Sequence, residues 1–255
     1  MDSAPPTSFA DVQTIIREEF GKDLEELFSE FDPVPLGSAS LGQAHRAVLR
    51  ATGEVVAVKV QHKDVRRRSP GDIRLFGLVL RGAEALFPDF KYAWLAEEFR
   101  ELLPPELNFR KEAENCERCA EIFKDNPSIV VPSIYHDYTT ERVLTMSYEE
   151  GVSMTQLDEE NTFGIDYQRC AELISEAFSY MIFDRGFLHC DPHAGNIIVR
   201  QTGDDLKVVL LDHGLYTELK DETRLSYTKL WRGILTQNEE QIKEASREIV
   251  GERYY

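Results

Sequence analysis

Hydrophobic residues recur at helical spacing near the start of the chain. Steps of three and four residues join Phe9, Val12, Ile16, Phe20, Leu24, Leu27 and Phe31, and acidic residues occupy the positions between them. This spacing predicts one amphipathic helix over residues 9–31. Pro33 and Pro35 follow, and proline ends helices because it lacks the N–H group.

The pattern then changes to short apolar segments. Residues 45–50 and 55–61 predict two strands, and the segment Ala51-Thr52-Gly53-Glu54 predicts the turn that joins them. Helical patterns are predicted for residues 72–87, 95–103 and 106–124, and short strands for residues 130–138 and 142–148.

A polar, acidic connector over residues 149–161 separates this half from a second one. There the pattern predicts helices over residues 166–185, 218–237 and 239–250, and a hairpin formed by residues 197–200 and 206–211. The order of elements predicts a two-lobed α+β fold. We expect an N-terminal helix (residues 1–32), an N-lobe with an antiparallel sheet and helices (33–150), and a mostly helical C-lobe (151–255).

Composition excludes several classes of protein. The 255 residues contain 29 Lys and Arg against 46 Asp and Glu, a net charge of −17, which disfavours nucleic-acid binding. The sequence contains no run of about 18 apolar residues, so it predicts no membrane span. The first residues lack the pattern of a secretory signal or of an Arg-rich transit peptide. Four cysteines in a chain of this length predict a reducing compartment rather than a disulfide framework.

The densest chemical signal is the segment His189-Cys190-Asp191-Pro192-His193-Ala194-Gly195-Asn196, with Asp212-His213-Gly214 after the following hairpin. Asp191 and Asn196 have the D-x4-N spacing of a protein-kinase catalytic loop, and Asp212 stands where the D-F-G aspartate would. Carboxylate and amide oxygens suit Mg²⁺. Phosphoryl transfer needs such ligands because its transition state is negatively charged.

Lys59 interrupts the apolar strand VVAVKV and corresponds to the V-A-I-K lysine of kinases. A lysine in such a strand needs a partner, which phosphates and a helix glutamate would supply. Upstream, residues 37–42 form a small-residue turn whose backbone could approach phosphates.

Other interpretations compete with this one. His189, Asp191, His193, Asp212 and His213 could form a Zn²⁺ or Fe hydrolase site, but that leaves Lys59 unexplained. The pair Cys116 and Cys119 is more typical of one helix face than of a metal site. We expect His45, His62 and His136 to be surface or strand-end residues. A stripe of Tyr227, Trp231 and Leu235 predicts core packing.

The segments PLGSASLGQAHRAVL, VAVKVQH, ELNFRKEAEN, GFLHCDPHAGNIIV and LLDHGLY together resemble the UbiB / aarF-domain atypical kinase family, in particular its eukaryotic branch associated with mitochondria. The resemblance implies a protein-kinase-like fold, ATP with Mg²⁺, and kinase or ATPase activity. It also implies a role in mitochondrial lipid or isoprenoid-quinone homeostasis, with a small molecule, a lipid or water as acceptor and possible peripheral membrane association.

The resemblance implies a role for individual residues. Lys59 contacts the phosphates, Glu112 pairs with Lys59, Asp191 is the catalytic carboxylate, and Asn196 and Asp212 bind Mg²⁺. The family's phosphate loop corresponds to Gly37, Ser38, Ala39, Ser40 and Gly42, and the segment 145–149, with Met146 and Tyr148, to the hinge against adenine.

The chain also departs from the family pattern. The E-x-D motif reads Glu106-Leu107-Asn108, so its second acid is absent, and no K-x-G-Q helix precedes the core. We therefore expect a chain truncated at both ends relative to full members. A nucleotide-binding scaffold without turnover is the non-enzymatic alternative.

Overall fold

A computed structural model of the chain describes residues 6–87, 92, 94–97, 100, 107–158 and 161–251. Glu106 and most of the helix predicted over residues 95–103 lie outside these residues. The chain divides into two compact units. The first unit comprises Met1–Ala120 and Pro132–Glu149, and the second comprises Glu121–Val131 and Glu150–Tyr255.

The helices and the strands of the described residues are numbered separately, each in chain order. The helices are α1 (Phe9–Phe20), α2 (Leu24–Leu27), α3 (Val65–Leu86), α4 (Phe109–Phe123), α5 (Tyr167–Ser179), α6 (Asp221–Leu235) and α7 (Glu239–Val250). The strands are β1 (Phe28–Phe31), β2 (Gly37–Ser38), β3 (Gly42–Leu49), β4 (Val55–Gln61), β5 (Ile129–Val130), β6 (Val143–Ser147), β7 (Val152–Ser153), β8 (Phe187–His189), β9 (Ile197–Thr202), β10 (Asp205–Leu210) and β11 (Tyr216–Glu218).

The first unit is built on an antiparallel sheet. Its strand order is β1-β3-β4-β6, and β2 pairs with the first half of β3, before the part that pairs with β1. One face of this sheet packs against α1 through a cluster that includes Val12, Ile16, Leu49 and Val58. The predicted hairpin of two strands is the centre of the sheet, with His45 opposite Val58.

The single helix predicted over residues 9–31 is wrong. Helix α1 ends at Phe20, because Gly21 adopts a left-handed conformation (φ +65°) and its N–H donates to the Arg17 carbonyl. Residues Phe28–Phe31 form strand β1 instead and pair with β3. The apolar spacing continues across this break, so periodicity alone joined two different elements.

His45 also differs from the prediction of a surface or strand-end residue. It lies within β3 and is fully buried. Its Nδ1 donates to the Asp32 carbonyl at 2.7 Å, and its Nε2 lies 3.0 Å from Gln43 Nε2. Burial lowers the pKa of His45, since the charged form would lose its hydration.

Helix α3 begins seven residues before the predicted start, so the basic run of residues 63–68 leads into its first turns. Ser69 and Leu80 are buried on one face, whereas Leu75, Leu78 and Val79 are exposed on the other. No described helix is both long enough and apolar enough to cross a bilayer.

The second unit combines helices with two small sheets. One sheet has the order β5-β10-β9-β7, and the other pairs β8 with β11. Helix α5 continues through a π-helical turn, Tyr180–Arg185, which ends at Gly186 (φ +64°). Strand β8 then leads into the segment His189–Asn196, and the β9–β10 hairpin carries the chain on to Asp212.

The predicted core packing of Tyr227, Trp231 and Leu235 on α6 is found only in part. Tyr227 stacks on Phe183 with ring centroids 5.9 Å apart. Trp231, however, is 41% exposed and Leu235 is 77% exposed. The prediction of a core position is wrong for Leu235, which follows the helical stripe although the described residues leave it open to solvent.

Candidate functional site

A buried ion pair lies at the centre of the first unit. Lys59, on β4, and Glu112, in the first turn of α4, place Nζ and Oε1 2.6 Å apart. The Glu112 side chain is 3% exposed and that of Lys59 is 15% exposed. A carboxylate at this depth needs a cation beside it, because its own hydration is lost.

Two neighbouring residues position this pair. The Lys59 ammonium lies 5.2 Å from the centroid of the Phe109 ring, which is fully buried, in a cation–π contact. Asn108 caps the start of α4, since its side-chain Oδ1 accepts from the Arg110 N–H at 3.0 Å. Asn108 stands where the family resemblance implies an acid, and an amide oxygen can still perform this capping.

The small-residue segment 37–42 connects β2 with β3. Gly37 is opposite Ala44 and Ser38 is opposite Gln43, and the Ala39 N–H donates to the Gly42 carbonyl at 2.8 Å. A Cβ added at Gly42 would lie 2.6 Å from the Val60 carbonyl oxygen, so only glycine fits there. The Ser38 hydroxyl is buried and has no hydrogen-bond partner within the described residues.

These features of the segment suit a phosphate ligand. An orphaned hydroxyl beside a turn of small residues leaves a donor without a partner, and such turns admit the close approach of an anion.

The predicted hinge residues lie on and directly after β6. Met146 is buried, and its side chain packs in a cluster with Phe109, Ala113 and Leu144. The Tyr148 N–H donates to the Val55 carbonyl at 3.4 Å, and the Ser147 hydroxyl donates to Glu149 at 2.9 Å. Met146 therefore belongs to the same apolar cluster as the Phe109 ring that contacts Lys59.

In the second unit, two histidines shape the turn that carries Asp191. His189 Nδ1 accepts from the Asp191 N–H at 3.1 Å, and His193 Nδ1 accepts from the Gly195 N–H at 3.0 Å. The Asp191 side chain is 59% exposed and lies 3.7 Å from His193 Nε2. Burial lowers the pKa of His189, although the nearby carboxylates of Asp212 and Asp191 oppose this shift.

Asn196 and Asp212 are brought together by the β9–β10 hairpin. The Leu211 N–H donates to the Asn196 carbonyl at 2.9 Å, so the residues before β9 and after β10 are paired. Asp212 Oδ1 accepts from the Gly214 N–H at 2.9 Å, which orients the carboxylate. The amide and carboxylate oxygens of these two side chains are the ligand types that Mg²⁺ prefers, so the residues present fit this ion.

His213, the residue after Asp212, is buried and holds the segment of residues 210–216 together. It is 1% exposed, its Nε2 donates to the Leu210 carbonyl at 3.0 Å, and its Nδ1 lies 2.9 Å from the Tyr216 hydroxyl. The Tyr216 ring in turn stacks on Phe187, with centroids 4.4 Å apart. Both imidazole nitrogens are therefore engaged within the protein.

The metal-hydrolase alternative finds no support in this arrangement. Within the described part of the chain, no group of three or more His, Cys, Asp or Glu side chains could hold a metal ion. His213, one of the five candidate ligands, uses both ring nitrogens for hydrogen bonds.

Phe109, Asn108 and Tyr216 lie near the predicted site residues and have no predicted role in the site themselves. Each lies within a segment that carries the family resemblance, ELNFRKEAEN or LLDHGLY. Their closeness in sequence to Glu112 and Asp212 is the only indication of a role that the sequence offers. The contacts that they make in the folded protein cannot be predicted from a single sequence.

Comparison with known proteins gives consistent matches. The family model described as "ABC1 atypical kinase-like domain" matches residues 1–246. AarF domain-containing protein kinase 1 of Xenopus tropicalis is 42% identical over 254 residues, which cover 98% of this chain and 48% of that protein. AarF domain-containing kinase 1 of Drosophila melanogaster is 43% identical over 247 residues, 96% of this chain and 48% of that protein. The chain thus spans about half the length of these curated relatives.

A solved structure shows the same fold. The structure described as the complex of Rv3197 with erythromycin, from Mycobacterium tuberculosis, superposes with a TM-score of 0.76 at 24% identity. The match covers 94% of this chain and 60% of that one. The predicted α+β, kinase-like fold class is confirmed.

Proposed function

Because the chain belongs to the ABC1 atypical kinase-like family, we propose that it binds Mg·ATP and transfers or hydrolyses the γ-phosphoryl group. The observation that carries this proposal is the buried ion pair of Lys59 and Glu112, at 2.6 Å. Such a pair stabilises a fold only weakly against an apolar alternative, so a function in charge neutralisation accounts for it better than stability does.

In the proposed function, Lys59 contributes the positive charge for the phosphates. Glu112 pairs with Lys59 and fixes its direction, and the Phe109 ring limits its movement. The turn that includes Gly37, Ser38, Ala39, Ser40 and Gly42 supplies backbone groups and the orphaned Ser38 hydroxyl for phosphate oxygens. Met146 and Tyr148 are proposed to lie beside the adenine.

The second unit is proposed to supply the remaining groups. Asp212 and Asn196 would hold Mg²⁺, which neutralises phosphate charge when it is bound. Asp191 would orient the hydroxyl group or water molecule that attacks, since its exposed carboxylate can accept a hydrogen bond from that O–H. The hydrogen bonds from the Asp191 and Gly195 amides to the two histidines hold this turn in place before any ligand binds.

The first experiment is a thermal-shift titration of the wild type with Mg·ATP. We expect stabilisation that grows with ligand concentration, about 2.7 kcal/mol at a hundredfold excess over Kd. ATP with EDTA should stabilise less, and Asp212→Asn should lose the Mg²⁺-dependent part of the shift. A wild type without any nucleotide-dependent shift would overturn the proposal.

Turnover is tested separately. Release of phosphate from ATP in the absence of an acceptor would identify an ATPase, whereas incorporation into an added acceptor would identify a kinase. Binding without either product would favour the nucleotide-binding scaffold instead.

We further propose that α3 associates with an anionic membrane surface. Five arginines and two acids lie on this helix, in a chain whose net charge is −17. Leu75, Leu78 and Val79 form an exposed apolar strip, and the exposed Arg67 and Arg74 lie beside it. An apolar strip flanked by arginine is typical of helices that lie in the membrane interface.

Vesicle flotation tests this association. Anionic vesicles should bind the chain, and Leu78→Glu should reduce binding more than Leu235→Glu, which alters an exposed apolar residue on α6. Equal binding by the two variants would contradict the proposal. The mitochondrial location stays a prediction, which imaging of the tagged full-length protein in cells tests. The link to lipid or quinone metabolism also stays a prediction.

A further inference from the structure

One histidine makes two hydrogen bonds to the small-residue turn of residues 37–42. His62 follows β4 directly, and its backbone N–H donates to the Leu41 carbonyl at 2.9 Å. Its side-chain Nε2 lies 2.9 Å from the Ala39 carbonyl oxygen. His62 thus bonds the carbonyls on both sides of Ser40.

The chemistry of these partners determines the direction of each hydrogen bond. A carbonyl oxygen can only accept, so His62 Nε2 carries the hydrogen. In the neutral ring Nδ1 is then an acceptor, and it lies 2.6 Å from the hydroxyl of Thr7. The imidazole therefore joins the turn to the segment that precedes α1.

This segment is itself fixed to the sheet. The Thr7 N–H donates to Gln43 Oε1 at 2.7 Å, and the Thr7 carbonyl accepts from Gln43 Nε2 at 3.1 Å. Gln43 is 2% exposed and lies on β3. The chain of contacts from Ala39 through His62 and Thr7 therefore ends at a buried side chain rather than in solvent.

From these contacts we infer that His62 is a positioning residue for nucleotide binding: it holds the Ala39 carbonyl so that the turn of residues 37–42 keeps the conformation that receives phosphate. This inference rests on the proposed function. A carbonyl bonded to His62 is not free to turn toward a phosphate, which it would repel. A turn ordered in advance also loses less conformational entropy when the ligand binds.

Two substitutions separate the two sides of the imidazole. Asn places its amide near the position of Nδ1, so His62→Asn keeps a group that can face Thr7 and loses the bond to Ala39. Gln places its amide near Nε2, so His62→Gln keeps a donor for the Ala39 carbonyl. We expect His62→Asn to weaken Mg·ATP binding about three- to tenfold, the range for one lost hydrogen bond, and His62→Gln to restore most of the affinity.

Two further variants complete the set. Thr7→Val removes the hydroxyl at similar volume and should weaken binding in the same direction but less than His62→Asn. His136→Asn makes the same change at a histidine that pairs with Glu117 on the surface, and it should leave the affinity unchanged.

The readout is the Kd for Mg·ATP, together with amide hydrogen exchange of residues 39–42 in the nucleotide-free protein. Faster exchange in His62→Asn, with recovery in His62→Gln, supports the part of the inference that His62 orders the turn. A wild type that binds no nucleotide overturns the proposed function and, with it, the role of His62 in binding. Wild-type exchange in His62→Asn overturns the inference. Wild-type affinity of His62→Asn in a nucleotide-binding protein also overturns it.

Discussion

The two units carry their candidate groups in opposite ways. In the first unit, Lys59 and Glu112 are buried and paired with each other at 2.6 Å. In the second unit, the Asp191 side chain is mostly exposed, and hydrogen bonds to the backbone shape the turn around it. The chemistry of the first unit is therefore part of its core, whereas that of the second unit is carried by loops on a rigid hairpin.

This difference indicates how substitutions should divide between stability and activity. A buried charge that loses its partner destabilises the fold, since its desolvation is no longer compensated. An exposed carboxylate leaves the folding energy nearly unchanged when it is replaced, and its loss affects only the reaction.

The largest expected effect is on the first unit. Lys59→Met should lower the free energy of unfolding by about 3–5 kcal/mol, because it leaves the Glu112 carboxylate buried without its cation. The double variant Lys59→Met/Glu112→Leu should be more stable than Lys59→Met alone. Urea unfolding followed by circular dichroism measures both, and Asp191→Asn is the matched change in the second unit, expected within about 0.5 kcal/mol of the wild type. A Lys59→Met protein as stable as the wild type would remove the contrast between the units.

The second prediction concerns activity in the second unit. Asp212→Asn should reduce phosphoryl transfer or hydrolysis about 10²–10³-fold, which corresponds to roughly 2.7–4 kcal/mol of transition-state stabilisation. Its stability should stay near that of the wild type, because the Asn oxygen can still accept from the Gly214 N–H. Steady-state kinetics at saturating Mg·ATP measure the rate. An equal loss of stability and activity would show that the Asp212 carboxylate contributes to folding, as the buried Glu112 carboxylate does.

The same contrast explains what could be predicted from the sequence. The β3–β4 hairpin followed from apolar strands around a glycine turn, and the position of Lys59 within it followed directly. The segments around Asp191 and Asp212 are contiguous motifs, so their clustering at one hairpin could be predicted as well. Local patterns are sufficient where an element and its chemistry are adjacent in sequence.

Features that depend on tertiary contacts could not be predicted in this way. Apolar spacing from Phe9 to Phe31 is continuous, yet Phe28–Phe31 form a strand because β3 offers its edge. The sequence predicts His45 at the surface or at a strand end, but α1 and β1 cover it with Phe9 and Phe31. Trp231 and Leu235 match a core stripe although their outer side is exposed. Whether a residue is buried depends on which elements pack against it, and a single sequence does not show these tertiary contacts.

A smaller effect is expected at the small-residue turn of residues 37–42. Gly42→Ala should destabilise the first unit by about 1–3 kcal/mol, because the added Cβ would meet the Val60 carbonyl oxygen at 2.6 Å. Gly37→Ala, in the same turn, meets no atom within 4 Å and should be tolerated. Thermal melts compare the two variants. Equal melting temperatures would show that the turn adapts, and that the first unit is less rigid here than at Lys59.

The smallest expected effect is a difference in pH dependence, and it arises from His45. Burial lowers the pKa of His45 in the folded protein, so the unfolded chain binds more protons at acidic pH. The contribution of neutral His45 is complete above the unfolded value of about 6.5 and is lost as the pH falls from there toward the lowered folded pKa. His45→Asn keeps a donor for the Asp32 carbonyl but does not titrate. Its melting temperature should therefore fall less than that of the wild type between neutral and acidic pH, while the difference between the two proteins stays constant above pH 6.5. Parallel melting curves of both proteins across the acidic range would mean that the first unit accommodates protonated His45 without loss of stability.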